Sequence, residues 1–163
     1  MSPRSAALAL SAVAIAVSLS ASPAFAVELP SRPVPTLDAA RAVVVAAAAN
    51  AKAEGWPCVI SVVDGEGLPI LLERMDDAAV LAGVELAPGK ARTASLFRRE
   101  SGALEDTING KRLAAVMARG FVLMRGGVPL IVGGHVVGAI GVSTDTPDHD
   151  EQIAKAGAAA FAR

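Results

Sequence analysis

Tyrosine is absent from this 163-residue sequence, and cysteine and tryptophan occur once each. A lone cysteine, Cys58, cannot close an intramolecular disulfide, so an oxidising compartment would add no covalent staple. Cys58 lies in an apolar run and reads as a small buried hydrophobe. No CxxC pair and no His/Cys cluster at zinc spacing is present, which removes the structural zinc folds. There is no Walker loop for phosphates and no nucleophile elbow for acyl transfer. Charge of one sign is lacking too. The net charge is −1, and the basic footprint of a nucleic-acid binder is missing.

Long apolar runs are equally scarce, with one exception at the start. Met1–Arg4 is short and positive, Ala6–Leu19 is almost wholly apolar, and Ala24-Phe25-Ala26 offers small residues. These are the three regions of a secretory signal peptide, cleaved after Ala26. The apolar run is shorter than the roughly 20 residues that a spanning helix needs. It also inflates the mean hydropathy of +0.49, which therefore does not mark a membrane protein. Without Arg4, 14 basic residues face 16 acidic ones. Residues 27–35 carry three prolines and no periodicity, an extended or flexible leader. Residues 36–163 then make one domain of ordinary size. No transmembrane segment is expected after cleavage.

What is present is a pair of hairpin patterns between helical ones. Thr36 suits a helix N-cap, and Leu37, Val44, Ala48 and Ala51 share a face, so a helix is expected over Leu37–Glu54. Gly55 suits a left-handed C-cap, and Pro57 blocks continuation. Cys58–Val63 and Leu68–Arg74 flank Asp64-Gly65-Glu66-Gly67, a four-residue hairpin loop. A helical pattern returns over Val84–Arg99, with Pro88 expected in its first turn, where proline is tolerated. A short helix over Ala103–Thr107, capped by Ser101, and a turn or two over Lys111–Ala118 follow. Phe121–Met124 is a strand candidate. Val128–Val132 and His135–Val142 flank Gly133-Gly134, whose glycines accept the positive φ of a tight hairpin turn. Gly138 and Gly141 inside the second of these strands mark a bulge, or a close approach by backbone or ligand. Thr146-Pro147-Asp148 opens a last helix, whose acids face the positive end of its dipole. Consecutive hairpins with helices beside them imply an α+β layered domain with an antiparallel sheet.

Six strings in this order resemble one family. They are Ser61–Gly67 (SVVDGEG), Leu71–Ala78 (LLERMDDA), Lys90–Arg99 (KARTASLFRR), Gly126–Val132 (GGVPLIV), Gly138–Ser143 (GAIGVS) and Asp150–Ala160 (DEQIAKAGAAA). They look like the GlcG/HbpS family, whose members are described as haem-binding or haem-degrading domains. The resemblance covers nearly all of the chain after residue 26. It implies a profilin-like or PAS-like fold, with a five-stranded antiparallel sheet flanked by helices, and assembly into homo-oligomers. Some members are secreted haem-binding proteins that work with a sensor kinase. Others are encoded beside glycolate metabolism or form corrinoid-associated domains. The signal peptide favours the secreted, haem-binding branch. Pro88-Gly89 departs from the uninterrupted helix expected there.

A haem site needs an apolar slot, cationic or hydroxyl groups for the propionates, and in many cases an axial His, Met, Cys or Tyr. Two histidines are available as metal ligands. His135 follows the Gly-Gly turn, where an exposed turn residue is the plainer reading. His149 stands in the first turn of the last helix among acids, which favour a protonated ring unable to bind metal. Met75, Met117 and Met124 read first as gap fillers. Lys90, Thr93, Arg98 and Arg99 lie on one expected helix. Lys90, Thr93 and Arg98, with Arg125 and His135, are the candidates for holding an anionic cofactor such as haem. A solvated helix face paired with Glu100 or Glu105 is the plainer account of those cations. Asp64, Glu73, Glu85 and Glu151 are the available carboxylates, and no nucleophile–base pair is legible.

The expectation is a secreted haem-binding protein, periplasmic or extracellular, that sequesters haem, reports it to an envelope sensor or degrades it slowly. An enzyme or accessory subunit acting on a small carboxylate, such as a 2-hydroxy acid, is the alternative from another class. A non-catalytic oligomeric scaffold is the third.

Overall fold

A computed structural model describes residues 28–161. The expected signal peptide, residues 1–26, lies outside them. Residues 28–36 form no helix or strand.

Helix α1 spans Leu37–Glu54. Thr36 caps it by accepting the Ala39 N–H at 3.1 Å, and Gly55 closes it at φ 74°. Its buried stripe of Ala40, Val43, Val44, Ala47 and Ala51 has the helical period expected of a core-facing side. Strands β1 (Val59–Asp64) and β2 (Pro69–Arg74) form the first hairpin. In its loop the Asp64 carboxylate accepts the N–H groups of Glu66 and Leu68 at 2.9 and 2.8 Å. Helix α2 (Gly83–Phe97) and helix α3 (Ser101–Asn109) follow, then a 3-10 turn at Leu113–Met117. Strands β3 (Gly127–Val132) and β4 (His135–Ser143) form the second hairpin, and helix α4 (Pro147–Phe161) completes the fold. The turn glycines Gly133 and Gly134 take φ 56° and 80°, as a primed hairpin turn requires.

The sheet is antiparallel throughout, in the order β2-β1-β4-β3. Helices α1 and α4 cover one face, where Ile60, Val62, Val128, Leu130, Ile140 and Val142 meet their apolar stripes. Helix α2 covers the other face, against Val59, Val63 and Ala139. Two covered faces explain why five of the six residues of β1 are buried rather than alternating.

The layers approach closely where glycine permits it. Gly127 and Gly141 are cross-strand partners. A Cβ on Gly141 would lie 2.0 Å from the Ala87 carbonyl oxygen, and one on Gly127 would lie 2.3 Å from that of Lys90. The α2 backbone therefore rests directly on this glycine pair. Of the alternatives open in the sequence, close approach by backbone is the one realised at Gly141. Gly157 does the same for α4, since a Cβ there would meet Ala47 Cβ at 3.0 Å and the Val43 carbonyl at 3.1 Å.

Three expectations are corrected. The sheet has four strands among the described residues, not five, because Phe121–Met124 forms no ladder. Its backbone groups go to side chains instead. The Val122 N–H donates to Thr93 Oγ1 at 3.0 Å, and the Met124 carbonyl accepts from Ser101 Oγ at 2.6 Å. The second correction concerns Pro88. It lies inside α2 rather than in the first turn, so the helix continues through it with one backbone donor fewer. Ser101 is likewise not a cap. It begins α3, and its hydroxyl is buried between the Met124 carbonyl and the Gly127 N–H.

Gly141→Ala is expected to destabilise the protein by about 3 kcal/mol, the upper range for overpacking a core. Gly65→Ala, whose Cβ would meet nothing closer than 3.4 Å, is expected to change stability little. Urea denaturation of both variants checks the contrast.

Candidate functional site

The cations singled out in the sequence do converge, but on carboxylates of α4. Lys90 is 1% exposed, the largest of the fully buried side chains. Its ammonium donates to Asp150 Oδ2 at 2.5 Å and to the Val142 carbonyl at 3.1 Å. The other oxygen of Asp150 accepts the Thr144 N–H at 2.5 Å. Burial pushes the Asp150 carboxyl above its ordinary range, and the Lys90 charge and these hydrogen bonds pull it only part of the way back. Gly126, at φ 111°, is the window through which this pair passes. A Cβ there would lie 2.6 Å from Asp150 Cβ and 3.4 Å from Lys90 Cδ.

Arg125, beside that glycine, takes the next residue of α4. Its guanidinium donates to Glu151 and, at 2.6 Å, to Asp106, while its backbone N–H donates to Glu105 at 2.6 Å. Lys155 pairs with Glu151 and, at 3.3 Å, with Glu100. Burial opposes the charge of Glu151, yet the hydrogen bonds and charges of Lys155 and Arg125 outweigh it and hold the carboxyl below its usual range. The hydrogen bond to Glu151 raises Lys155 in turn, and Arg125 is raised by the same partner. A cleft of about 390 Å³ is lined by Arg125, Asp148, Glu151, Gln152 and Lys155, and both of its bases are already paired with one acid, Glu151.

Thr93 is fully buried, donating to the Gly89 carbonyl at 2.9 Å and accepting from Val122. Arg98 is exposed and left-handed, at φ 54°, just past the end of α2. The structure thus brings Lys90 and Arg125 to adjacent residues of α4. Thr93 serves the 121–124 segment, and Arg98 points into solvent. Cys58 is inert: burial first, then the charges of Asp150 and Glu73, push its thiol up to about 12. Its sulfur lies 3.7 Å from that of Met75.

The two histidines stand at opposite ends of β4. His135 opens the strand, exposed at the hairpin tip, and His149 follows its far end. At about 3.4 Å per residue the strand alone separates those ends by roughly 27 Å. Only His149 is held in place. Its ring stacks flat on Trp56, with centroids 3.5 Å apart and planes 10° apart. Its Nδ1 lies 2.8 Å from an Asp145 carboxylate oxygen, and that hydrogen bond lowers the Asp145 carboxyl. With Asp145 as acceptor, Nδ1 is the donor of this hydrogen bond. A carboxylate behind an imidazole is the usual support of a metal-bound histidine. The acids near His149 therefore act as an orienting partner, which the charge argument from sequence had missed. The Asp145/His149 spacing of four was the available signal. Trp56 carried none, because its contact is long-range.

The residues between β4 and α4 are tied to those after β2 through one carbonyl. Pro57 O accepts from Thr144 Oγ1 at 3.3 Å and from the Ala79 N–H at 3.4 Å. A second cleft has a volume of about 440 Å³ and is lined by Arg74, Met75, Asp76, Asp77, Ala78 and Leu81. That lining sets one arginine and the apolar Met75 and Leu81 beside two acids, Asp76 and Asp77, and does not include His149. Among the described residues no group of three His, Cys, Asp or Glu side chains is placed to hold a bare metal ion. No helix there is long and apolar enough to cross a membrane.

Comparison with known proteins adds independent findings. A family profile described as haem-degrading protein HbpS-like matches residues 36–159. Protein GlcG of Escherichia coli K12 is 41% identical over 104 residues, covering 64% of this chain and 77% of GlcG. A crystal structure of an HbpS double mutant from Streptomyces reticuli superimposes with a TM-score of 0.75 at 30% identity, over 86% of this chain and 97% of that one. A crystal structure of a PduOC:haem complex gives a TM-score of 0.70 at 30% identity, over 78% and 95%.

Removing one partner of the buried pair strands the other charge. Lys90→Met or Asp150→Leu alone is expected to cost about 3–5 kcal/mol, and the double variant less than either single one. Denaturant titration of the three variants checks this. A second expectation concerns acid. Glu151 has a depressed carboxyl, so the stability it contributes is full above its ordinary value of 4.5 and is lost as pH falls through the lower folded value. Glu151→Gln is expected to flatten the fall of stability below that pH, measured by denaturation across an acid series.

Proposed function

This chain belongs to the GlcG/HbpS family, and from that premise we propose that it is a haem-binding protein in which His149 would hold the iron. The single observation that carries the assignment is the ring held between Trp56 and Asp145. A histidine fixed in orientation loses little freedom on binding a metal, and a carboxylate on its other nitrogen is the usual support of such a ligand. Arg74 in the second cleft is the cation suited to a propionate, and Met75 and Leu81 supply apolar wall. Bound haem iron would supply any redox chemistry, including slow degradation of the haem itself. This chain's residues would hold the iron, exclude water from one face and anchor the carboxylates.

The rest of the proposal concerns place and company. The N-terminal signal sequence supports action outside the cytoplasm, in the periplasm or beyond the cell, and with it a report to an envelope sensor. Exposed apolar residues on both sheet edges, Leu72 on β2 and Ile131 and Val132 on β3, support self-association. The small-carboxylate alternative gains nothing from the geometry, since Lys90 and Thr93 are buried and bonded within the protein.

A haemin titration of the chain from Val27, followed by absorbance, tests the reading. Saturable binding with a shifted Soret band is expected. Asp145→Asn is expected to weaken it about 10–100-fold, the usual effect of losing a supporting carboxylate. His149→Ala should change the spectrum, while His135→Ala should leave it unaltered. Absence of saturable binding by the unsubstituted chain would overturn the proposal.

A further inference from the structure

The 3-10 turn Leu113–Met117 contains no buried residue. Its three large apolar side chains are open to solvent, Leu113 at 68%, Val116 at 51% and Met117 at 67%. Leu113 and Val116 lie three apart and eclipse each other in such a turn, with Met117 beside them. Lys111, Arg112 and Arg119 flank them and are exposed. None of these three cations is in an ion pair among the described residues. No Asp or Glu occurs between Asp106 and Asp145. The turn is thus an apolar knuckle flanked along the chain by three exposed cations, on a chain whose net charge is −1.

Exposed apolar side chains at this density call for a cover. A second copy docked face to face would set three cations against three, so symmetric self-association through this turn is disfavoured. The complementary occupant is anionic and accepts inserted apolar side chains without needing a matching cleft. We propose that this turn docks the protein on an anionic lipid surface, with Leu113, Val116 and Met117 entering the interface and Lys111, Arg112 and Arg119 meeting headgroup phosphates. This is independent of haem. It places the protein against a membrane with no spanning helix among the described residues.

Vesicle sedimentation tests it, using the chain from Val27, which omits the apolar run Ala6–Leu19. Residues 32–163 form one compact unit, so this form retains the fold. Vesicles of phosphatidylglycerol in phosphatidylcholine are compared with phosphatidylcholine alone. Three surface cations predict binding on the order of a hundredfold stronger to the anionic vesicles, lost at high salt. The triple variants Leu113→Ser/Val116→Ser/Met117→Ser and Lys111→Ala/Arg112→Ala/Arg119→Ala are each expected to weaken it at least tenfold, roughly, since both contributions are needed. All six residues are exposed, and circular dichroism confirms that the variants are folded. Equal binding to both vesicle types would overturn the proposal, as would unchanged binding in either variant. Binding of soluble polyglutamate as tight as that of the vesicles, or a dimer that the serine variant dissociates, would likewise overturn it, in favour of an acidic protein or a second copy.

Discussion

The buried contact between Lys90 and Asp150 is the constraint around which the domain is built. Lys90 belongs to the helix on one face of the sheet and Asp150 to a helix on the other. Their contact runs past Gly126, where the chain enters β3, and the ammonium also holds the Val142 carbonyl near the end of β4. Desolvating two charges is expensive, and the net gain from such a pair is small. Its consequence is geometric. With the lysine fixed, α2 has one axial position on the sheet, and the Gly127–Gly141 pair lets its backbone settle there. With the aspartate fixed, the first turn of α4 is tied to Thr144, and Glu151 then falls beside Arg125.

That arrangement decides what the interior can do. The sequence offered Lys90, Thr93 and Arg125 as partners for an external anion. The folded chain supplies the anions itself, from successive residues of α4, and gives the threonine to the backbone of a neighbouring loop. A group whose hydrogen bonds are all made internally would have to break them to greet a ligand.

Much of the fold was legible because it is local. The Thr36 cap, the Gly55 stop, both hairpin loops and the Thr146-Pro147 start each depend on residues a few positions apart, and the elements they bound begin and end within a residue or so of expectation. What was misread depends on distant partners. Phe121–Met124 has the apolar character of a strand, but Thr93 and Ser101 take its backbone groups from more than 20 residues away. Pro88 breaks a local rule inside a helix that is held by packing against the sheet. The same divide runs through the site. Lys90 was visible as a cation, yet Asp150 is 60 positions off. His149 was visible as an imidazole, yet Trp56, which fixes its plane, lies on the far side of the sequence. Asp145 was within reach of sequence reasoning and was weighed as a charge when its position made it a support.

A closed interior moves function to the periphery, and the periphery here has two kinds of feature. One is an oriented imidazole at the start of α4, held by Trp56 and Asp145. The other is an apolar, positively charged turn after α3 that contributes nothing to the core. The two differ in what shaped them. His149 is ordered by contacts that packing alone does not need, since a ring exposed beside a helix start gains little stability from being held flat. Leu113, Val116 and Met117 are exposed although burying such side chains would stabilise the fold by about 1.5–3 kcal/mol each. A fold that spends order on one surface group and forgoes burial at another keeps both for something outside itself. For the histidine the proposed occupant is a haem iron, and for the turn it is an anionic lipid surface.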